Sequence, residues 1–212
     1  MNQNTSPLLR GNALQSAGVM CVLTHGRGQS PEAMDDHIIS RLNTKGVAFV
    51  LPRAASGSWY EARAIDPLTD ATRAQVSASL GQLKQAAQMA PANVPVVMVG
   101  FSQGACLTLE YALAIGPWRG AMVSFTGCRV GIVEDERPRQ DLAGLPVYLS
   151  GADKDPWIPL VAFAAATFEL GTARARLRTD VFPGRQHEVG NDEIAVLQSV
   201  LNQLTSGQEV QW

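Results

Sequence analysis

Residues 96–115 read V-V-M-V-G-F-S-Q-G-A-C-L-T-L-E-Y-A-L-A-I and join a short apolar run to a helical segment through a Gly-Phe-Ser-Gln-Gly turn. The run at 96–99 is apolar throughout, which is typical of a strand covered on both faces. The segment 103–115 predicts a helix that the following Gly116-Pro117 would end. A strand that leads directly into a helix is the repeating unit of parallel α/β sheets.

The same alternation continues in both directions from this stretch, nearly to the ends of the chain. Apolar runs predict further strands at 18–24, 47–51, 121–125 and 147–150, and the alternating run at 176–182 predicts a strand toward the sheet edge. Helical periodicity predicts further helices at 33–42, from Thr69 or Asp70 to before Pro91, at 159–171 and at 194–204. We therefore predict an α/β fold with a mostly parallel central sheet and helices on both faces.

The length of 212 residues suits one domain that spans 1–212, and no repeat or linker interrupts it. Residues 1–16 are expected to form an irregular N-terminal segment. Residues 127–144 carry much charge and a proline, so we expect a surface excursion there with one irregular helix.

Charge and cysteine content exclude several functions. Lys and Arg number 17 against 19 Asp and Glu, so the basic excess that nucleic-acid binding requires is missing. Cys21, Cys106 and Cys128 form no C-x-x-C pair, which disfavours a disulfide framework or a thiolate metal site and favours a reducing compartment. No apolar run approaches the ~18 residues that span a bilayer. We therefore expect a cytoplasmic protein without stable membrane insertion.

Ser102 is the candidate nucleophile, because G-x-S-x-G between a strand and a helix lifts a serine hydroxyl above the edge of the sheet. A serine hydroxyl reacts only when a base removes its proton. His187 is the candidate base, since it alone of the three histidines follows the serine, and it lies just after the 176–182 strand. A plain glycine-rich turn and an ordinary loop histidine are the alternatives.

The third member of such a site is a carboxylate that orients the imidazole, and it should follow a strand between the other two. Asp153 and Asp155 both meet this condition, and spacing alone does not separate them. The oxyanion formed in acyl transfer needs two N–H donors. The candidates are the backbone N–H groups of Gln103 and, from the loop that starts at His25, of Arg27. His25 would then be an architectural residue rather than a base.

Side chains near these loops could contact a substrate. Candidate substrate-binding residues are the aromatic side chains Trp59, Tyr60 and Trp157. A further hypothesis is that three arginines surround the cleft and favour an acidic or polar acyl group: Arg27, Arg53 and Arg185. We expect no metal and no cofactor. A metal site of His187, Glu188 and Asp192 would lack a second histidine at ligand spacing, and no phosphate-binding or dinucleotide-binding loop is present.

These motifs resemble those of the phospholipase/carboxylesterase family of α/β-hydrolases, which includes bacterial carboxylesterases, lysophospholipases and acyl-protein thioesterases. The resemblance spans residues 19–204. It rests on L-T-H-G-R-G at 23–28, L-P-R at 51–53, S-W-Y at 58–60, G-F-S-Q-G at 100–104, D-P-W-I-P at 155–159, P-G-R-Q-H at 183–187 and N-D-E at 191–193.

The resemblance implies an α/β-hydrolase fold with no lid domain and frequently a homodimer. It also implies site residues, with Ser102, His187 and Asp155 as a catalytic triad and with oxyanion donors at Arg27 and Gln103. Two positions depart from the family's pattern. Three residues rather than two separate Gly151 from Asp155, which keeps Asp153 as an alternative acid. Arg27 stands where eukaryotic thioesterases carry an apolar residue, which weakens an assignment to long acyl chains.

Together these features predict a serine carboxylic-ester hydrolase of the EC 3.1.1 class. It would act through an acyl-enzyme on small to medium acyl or aryl esters. A lysophospholipase or acyl thioesterase is the alternative among enzymes. A non-catalytic ligand-binding protein with the hydrolase fold is the alternative from another class.

Overall fold

Seven strands form one sheet in the computed structural model, which describes residues 6–212. In chain order they are β1 (Leu8–Gly11), β2 (Val19–Thr24), β3 (Val47–Leu51), β4 (Val96–Phe101), β5 (Gly120–Phe125), β6 (Pro146–Ala152) and β7 (Arg176–Phe182). Their order across the sheet is β1-β3-β2-β4-β5-β6-β7. β1 pairs antiparallel with β3, and every other pair is parallel.

Helices cover both faces of the sheet. In chain order they are α1 (Pro31–His37), α2 (Asp70–Ala87), α3 (Gln103–Ile115), α4 (Leu160–Thr172) and α5 (Asn191–Thr205). One buried apolar cluster includes residues of α2, α3 and α4, and a second on the opposite face includes residues of α1 and α5. Along β2, Met20 and Val22 belong to the first cluster, and Val19, Cys21 and Leu23 belong to the second. Successive side chains of a strand point to opposite faces, so a strand between two helical layers must be apolar throughout.

The predicted mostly parallel sheet with helices on both faces is confirmed, and the parallel pairing explains where a site can form. β2, β4, β6 and β7 run in the same direction, so the loops that follow them meet at one edge of the sheet. Among residues 6–212, no helix combines the length and the apolar content that crossing a bilayer would require.

The sequence-based description of residues 1–16 was wrong at one element. Leu8–Gly11 forms β1, which pairs with β3 along the sheet edge, whereas residues 1–5 lie outside the described residues. Only Leu8 of this strand is even partly buried. The strand therefore depends on backbone hydrogen bonds to its neighbour and leaves no hydrophobic pattern in the sequence.

Two other expectations also need correction. The helix predicted at 33–42 is shorter and earlier: α1 starts after Ser30, whose side chain accepts a hydrogen bond from the backbone N–H of Ala33, and a separate 3-10 turn follows at Ile39–Arg41. The excursion at 127–144 contains no helix. It is anchored by Arg129, whose buried guanidinium forms ion pairs with Glu110 of α3 and Glu169 of α4.

Candidate active site

Ser102 occupies the sharp turn between β4 and α3, with φ 56° and ψ −120°. A residue with a side chain is strained in this region of backbone space. The turn is also tightly packed, because a Cβ at Gly100 would lie 2.3 Å from the carbonyl oxygen of Gly104, and a Cβ at Gly104 would lie 2.2 Å from that of Thr24. The two glycines of G-x-S-x-G are therefore required for close packing, and the strain is located at the serine itself.

His187 lies in the loop between β7 and α5 and contacts Ser102 directly. Its Nε2 is 2.7 Å from Oγ of Ser102, and its Nδ1 is 2.6 Å from Oδ2 of Asp155. The imidazole also lies against the ring of Phe101, with 5.1 Å between the ring centroids. Three side chains from three separate loops thus form one continuous chain of hydrogen bonds.

Asp155 is buried, and its second carboxylate oxygen is also occupied. Oδ1 accepts hydrogen bonds from the backbone N–H groups of Trp157, at 2.8 Å, and Ile158, at 3.0 Å. Burial acts to raise the pKa of Asp155, but the hydrogen bonds from His187 and these two N–H groups outweigh it and hold the pKa below its usual value. An ionised carboxylate only accepts hydrogen bonds, so Nδ1 of His187 carries the proton and Nε2 accepts from the hydroxyl of Ser102.

The structure separates the two candidate acids that spacing left open. Oδ1 of Asp153 accepts a hydrogen bond from the backbone N–H of Gly184 at 2.6 Å, and the residue is exposed. Asp153 therefore ties the loop after β6 to the loop after β7, and it is Asp155 that contacts His187.

Sequence reasoning quoted Glu193 within the N-D-E motif but gave it no role; it is fully buried beneath the loop that carries His187. Its carboxylate forms an ion pair with Arg185, accepts a hydrogen bond from the hydroxyl of Ser150, and accepts another from the backbone N–H of Gly190 at 2.6 Å. The signal was a glutamate in the first turn of α5, a position from which carboxylates commonly bond the backbone N–H groups just before a helix. Glu193 links β6, the His187 loop and α5.

The two candidate oxyanion donors lie beside Ser102. A Cβ placed on Gly26 would be only 3.2 Å from Cβ of Ser102, so the loop after β2 packs against the serine. Arg27 and Gln103 both line the cavity above it. Within residues 6–212, neither backbone N–H donates a hydrogen bond to a protein acceptor, so both are available to a bound oxygen.

His25 is an architectural residue, as the sequence predicts. Its ring is fully buried, Nδ1 lies 2.8 Å from the carbonyl oxygen of Gly26, and Nε2 accepts a hydrogen bond from the backbone N–H of Ala54 at 3.1 Å. Because Nε2 accepts, the proton lies on Nδ1. Desolvation lowers the pKa of His25 below its usual value.

A cavity of about 1000 Å³ opens above Ser102. Charged side chains form part of its lining, namely Arg27, Asp36, Arg41, Arg63 and Glu188, and apolar side chains form much of the rest. The apolar side chains include Met34, Ile38, Ile65, Phe101, Trp157 and Ile158. Of the three predicted substrate-binding residues, Tyr60 and Trp157 line the cavity. Trp59 does not line it: its ring packs on His25 with 4.8 Å between centroids, and its Nε1–H donates to the carbonyl oxygen of His25.

Of the three arginines named in the hypothesis of an acidic or polar acyl group, only Arg27 lines the cavity. Arg53 pairs with Glu32 and Arg185 pairs with Glu193, and neither lines the cavity. Arg27 does line it, but its guanidinium donates to the carbonyl oxygens of Glu61 and Ala62. Two other arginines line the cavity: Arg41 donates to Val189 and Asn191, and Arg63 pairs with Asp66. The prediction misplaced Arg53 and Arg185 because the sequence does not show which partners an arginine reaches.

The geometry of His187 does not suit a metal ligand. Both ring nitrogens are already occupied, one by Asp155 and the other by Ser102. A metal ligand must offer a free nitrogen lone pair. Among the described residues, no group of three His, Cys, Asp or Glu side chains is arranged to hold a metal ion.

Comparisons with known proteins agree with this architecture. A phospholipase/carboxylesterase from Dyadobacter fermentans DSM 18053 superimposes with a TM-score of 0.80 at 26% identity, over 94% of this chain and 97% of its own. The esterase PE8 gives a TM-score of 0.69 at 22% identity, over 94% and 98% of the two chains. Acyl-protein thioesterase 2 from Zea mays gives 0.75 at 14% identity, over 94% and 98%. A search of curated proteins found no significant match.

The model of one family of hydrolases, described as Phospholipase/Carboxylesterase, matches residues 13–205. This match includes the turn at Ser102, the loop at Asp155 and the loop at His187. The TM-score of 0.80 with the Dyadobacter fermentans protein agrees with a shared fold. The chain belongs to the phospholipase/carboxylesterase family.

Proposed function

We propose that the protein is a serine carboxylic-ester hydrolase in which Ser102, His187 and Asp155 are the catalytic triad. The observation that carries the proposal is the unbroken hydrogen-bond chain from the hydroxyl of Ser102 through His187 to Asp155, at 2.7 and 2.6 Å. An alcohol becomes a nucleophile only when such a base accepts its proton. The same arrangement of groups serves acyl transfer on several unrelated folds.

In the proposed mechanism, Oγ of Ser102 attacks the acyl carbonyl while Nε2 of His187 takes its proton. Asp155 stabilises the resulting imidazolium and holds its orientation. The backbone N–H groups of Arg27 and Gln103 donate to the oxyanion of the tetrahedral intermediate. His187 then gives the proton to the leaving alcohol, and water releases the acyl group with His187 again acting as base.

The cavity supports a neutral substrate with apolar groups. Apolar side chains form much of its walls, and the three guanidinium groups in the lining, those of Arg27, Arg41 and Arg63, already bind protein groups. A carboxylate on the substrate would have to be desolvated there without a dedicated partner, which is costly. We therefore propose small to medium acyl or aryl esters without charge as the substrate class.

To test the reaction, we would compare the wild-type enzyme with Ser102→Ala in two assays: turnover of p-nitrophenyl esters and covalent labelling by a fluorophosphonate. We expect turnover and labelling in the wild type and neither in the variant. The matched control is Ser199→Ala, an exposed serine of α5 that does not line the cavity; it should still be labelled. Undiminished turnover in Ser102→Ala would refute the proposal, and an unlabelled, inactive wild type would favour a ligand-binding protein.

The test of the substrate class uses pairs of aryl esters that differ only in a terminal carboxylate on the acyl chain. We expect the neutral member of each pair to show a kcat/KM at least about tenfold higher, because a buried, unpaired charge costs more than the ~1.4 kcal/mol to which this factor corresponds. Equal or reversed values would contradict the proposed substrate class without affecting the assignment of the triad.

A further inference from the structure

We propose that residues 58–62 act as a template that positions both N–H donors of the oxyanion hole, with the side chains of Arg27 and Gln103 as the two clamps that hold the donors to it. This inference rests on the proposed function. The two donors come from separate parts of the chain, one from the loop after β2 and one from the first residue of α3. Chain connectivity alone therefore does not set the distance between them. Both side chains nevertheless bind the same short segment.

The first clamp is the side-chain amide of Gln103. Its Oε1 accepts a hydrogen bond from the backbone N–H of Trp59 at 3.0 Å, and its Nε2 donates to the carbonyl oxygen of Tyr60 at 2.7 Å. Gln103 is buried, so both bonds are shielded from competing water. The first residue of α3 is thereby fixed to the template at two points.

The second clamp is the guanidinium of Arg27. Its Nη1 donates to the carbonyl oxygen of Glu61 at 2.9 Å, and its Nη2 donates to that of Ala62. The same group lies 5.9 Å from the ring centroid of Tyr60, within the range of a cation–π contact. A planar fork that binds two successive carbonyls fixes direction as well as distance, which an ammonium group does less well.

The template also forms hydrogen bonds with α2 and with the loop after β2. Ser79 donates to the carbonyl oxygen of Trp59 at 2.7 Å, and the side chain of Gln75 accepts from the backbone N–H of Glu61 at 2.9 Å. Nε1 of Trp59 donates to the carbonyl oxygen of His25 at 2.8 Å. The segment that both clamps bind is therefore anchored to a helix and to the donor loop itself.

This arrangement gives Arg27 a role that its charge alone does not suggest. Oxyanion stabilisation requires donors that are fixed before the reaction begins. Removing the guanidinium removes two of the hydrogen bonds that hold the loop and leaves others, such as that from the backbone N–H of Gly28 to the carbonyl oxygen of Gly57 at 2.7 Å, so the N–H of residue 27 is held less firmly. Arg27 is thus a positioning residue through its side chain, and it acts on the transition state rather than on bound substrate.

The test uses Arg27→Met, which keeps an unbranched apolar stem but loses the fork, and Arg27→Lys, which keeps the charge. Arg53→Met is the matched control, because Arg53 pairs with Glu32 and does not line the cavity. We would measure kcat and KM on a neutral p-nitrophenyl ester. We would also measure the inhibition constant of a trifluoromethyl ketone, which forms an oxyanion adduct with a reactive serine.

We expect Arg27→Met to lower kcat about tenfold, less than the ~10²–10³ lost when a donor is removed outright. KM should stay within about twofold, the trifluoromethyl ketone should bind more weakly by the same factor as the loss of kcat, and Arg27→Lys should recover part of the loss. Arg53→Met should match the wild type. A rise in KM with kcat unchanged, unaltered inhibitor affinity, or an equal loss in Arg53→Met would overturn the proposal.

The experiment also distinguishes a folding defect, and a failure of the proposed function, from a failure of the clamp proposal. If Arg27→Met fails to fold by circular dichroism, Arg27→Lys decides the question by the same criterion of a kcat loss with parallel inhibitor weakening. Failure of the proposed function would appear as an inactive wild type, or as full activity in Ser102→Ala measured in the same series. An active wild type with unchanged Arg27 variants would refute only the clamp.

Discussion

Oδ2 of Asp155 lies 2.6 Å from Nδ1 of His187, whereas Asp153, two residues earlier, instead accepts a hydrogen bond from the backbone N–H of Gly184. Two aspartates in one short loop thus have different roles. One orients the imidazole, and the other joins the loop after β6 to the loop after β7. The separation of these roles leads to the first prediction.

Asp155→Asn should lower kcat by up to ~10⁴-fold, the loss seen when a triad aspartate becomes an amide, because the amide favours the wrong imidazole tautomer. Asp153→Asn keeps an acceptor oxygen for Gly184 and should change kcat by less than about threefold. Steady-state kinetics on one p-nitrophenyl ester measure both. Similar losses in the two variants would mean that the loop, rather than the individual carboxylate, controls the reaction.

The backbone strain at Ser102 predicts a difference in stability between two inactive variants. Ser102→Gly should be more stable than Ser102→Ala by about 1 kcal/mol, because glycine adopts φ 56° and ψ −120° without the cost of a Cβ, which exceeds the extra flexibility of its unfolded chain. Urea denaturation of both variants measures the free energy of unfolding. Equal stabilities would show that the turn is not strained at this residue.

Close packing at the turn predicts opposite effects for two glycine substitutions in helices. Gly104→Ala should disrupt the fold or abolish activity, since its Cβ would lie 2.2 Å from the carbonyl oxygen of Thr24. Gly81→Ala in α2 meets no atom within 4 Å and should raise the free energy of unfolding by up to about 1 kcal/mol through helix propensity. Thermal denaturation compares the two with the wild type, and a well-folded, active Gly104→Ala enzyme would contradict the packing argument.

The buried ion cluster around Arg129 predicts a large loss of stability on truncation. Arg129→Met leaves the buried carboxylate of Glu110 without its ion pair and removes one of the ion pairs of Glu169, so we expect a loss of about 3–5 kcal/mol. Arg139, which is 57% exposed and lies 3.5 Å from Glu169, is the matched control. Arg139→Met should cost less than about 1 kcal/mol. Comparable losses in chemical denaturation would show that burial does not set the strength of these pairs.

His25 predicts a pH dependence of stability. Burial lowers its pKa in the folded state, so between that value and the unfolded value of about 6.5 the unfolded chain binds more protons than the folded chain. The contribution of His25 to the free energy of unfolding is therefore fully present above the unfolded pKa, and it is lost as the pH falls from that value toward the folded pKa.

The measurement is urea denaturation at several pH values from about 7.5 down to 5, which brackets the unfolded pKa of histidine. The wild type should lose stability over this range, and His25→Asn, although less stable overall, should show a shallower slope. His37→Asn, at an exposed position in α1, should follow the wild-type slope. A His25→Asn slope as steep as that of the wild type would assign the pH dependence to other groups.

Patterns along the chain predicted most of the fold and two members of the proposed triad. The order of strands and helices could be read from apolar runs and helical periodicity, because a strand or helix between two buried layers must carry its pattern locally. Ser102 was recognisable because the sharp turn requires glycines at fixed positions on either side of it. β1 was missed because an edge strand held by backbone pairing leaves no such pattern.

Spacing left Asp153 and Asp155 open and the family resemblance implied Asp155, but only the tertiary structure showed Asp155 against His187. Only the tertiary structure also placed Trp59 outside the cavity wall and showed which protein groups the arginines bind. Each of these outcomes depends on contacts between segments far apart in the chain, such as Asp155 with His187 or Arg27 with Glu61. A residue's type determines which hydrogen bonds it is able to make, but the fold determines which donors and acceptors come within reach. The sequence by itself therefore identified the chemical groups of the site. Their partners were determined by the fold, because it brings loops from distant parts of the chain together at one edge of the sheet.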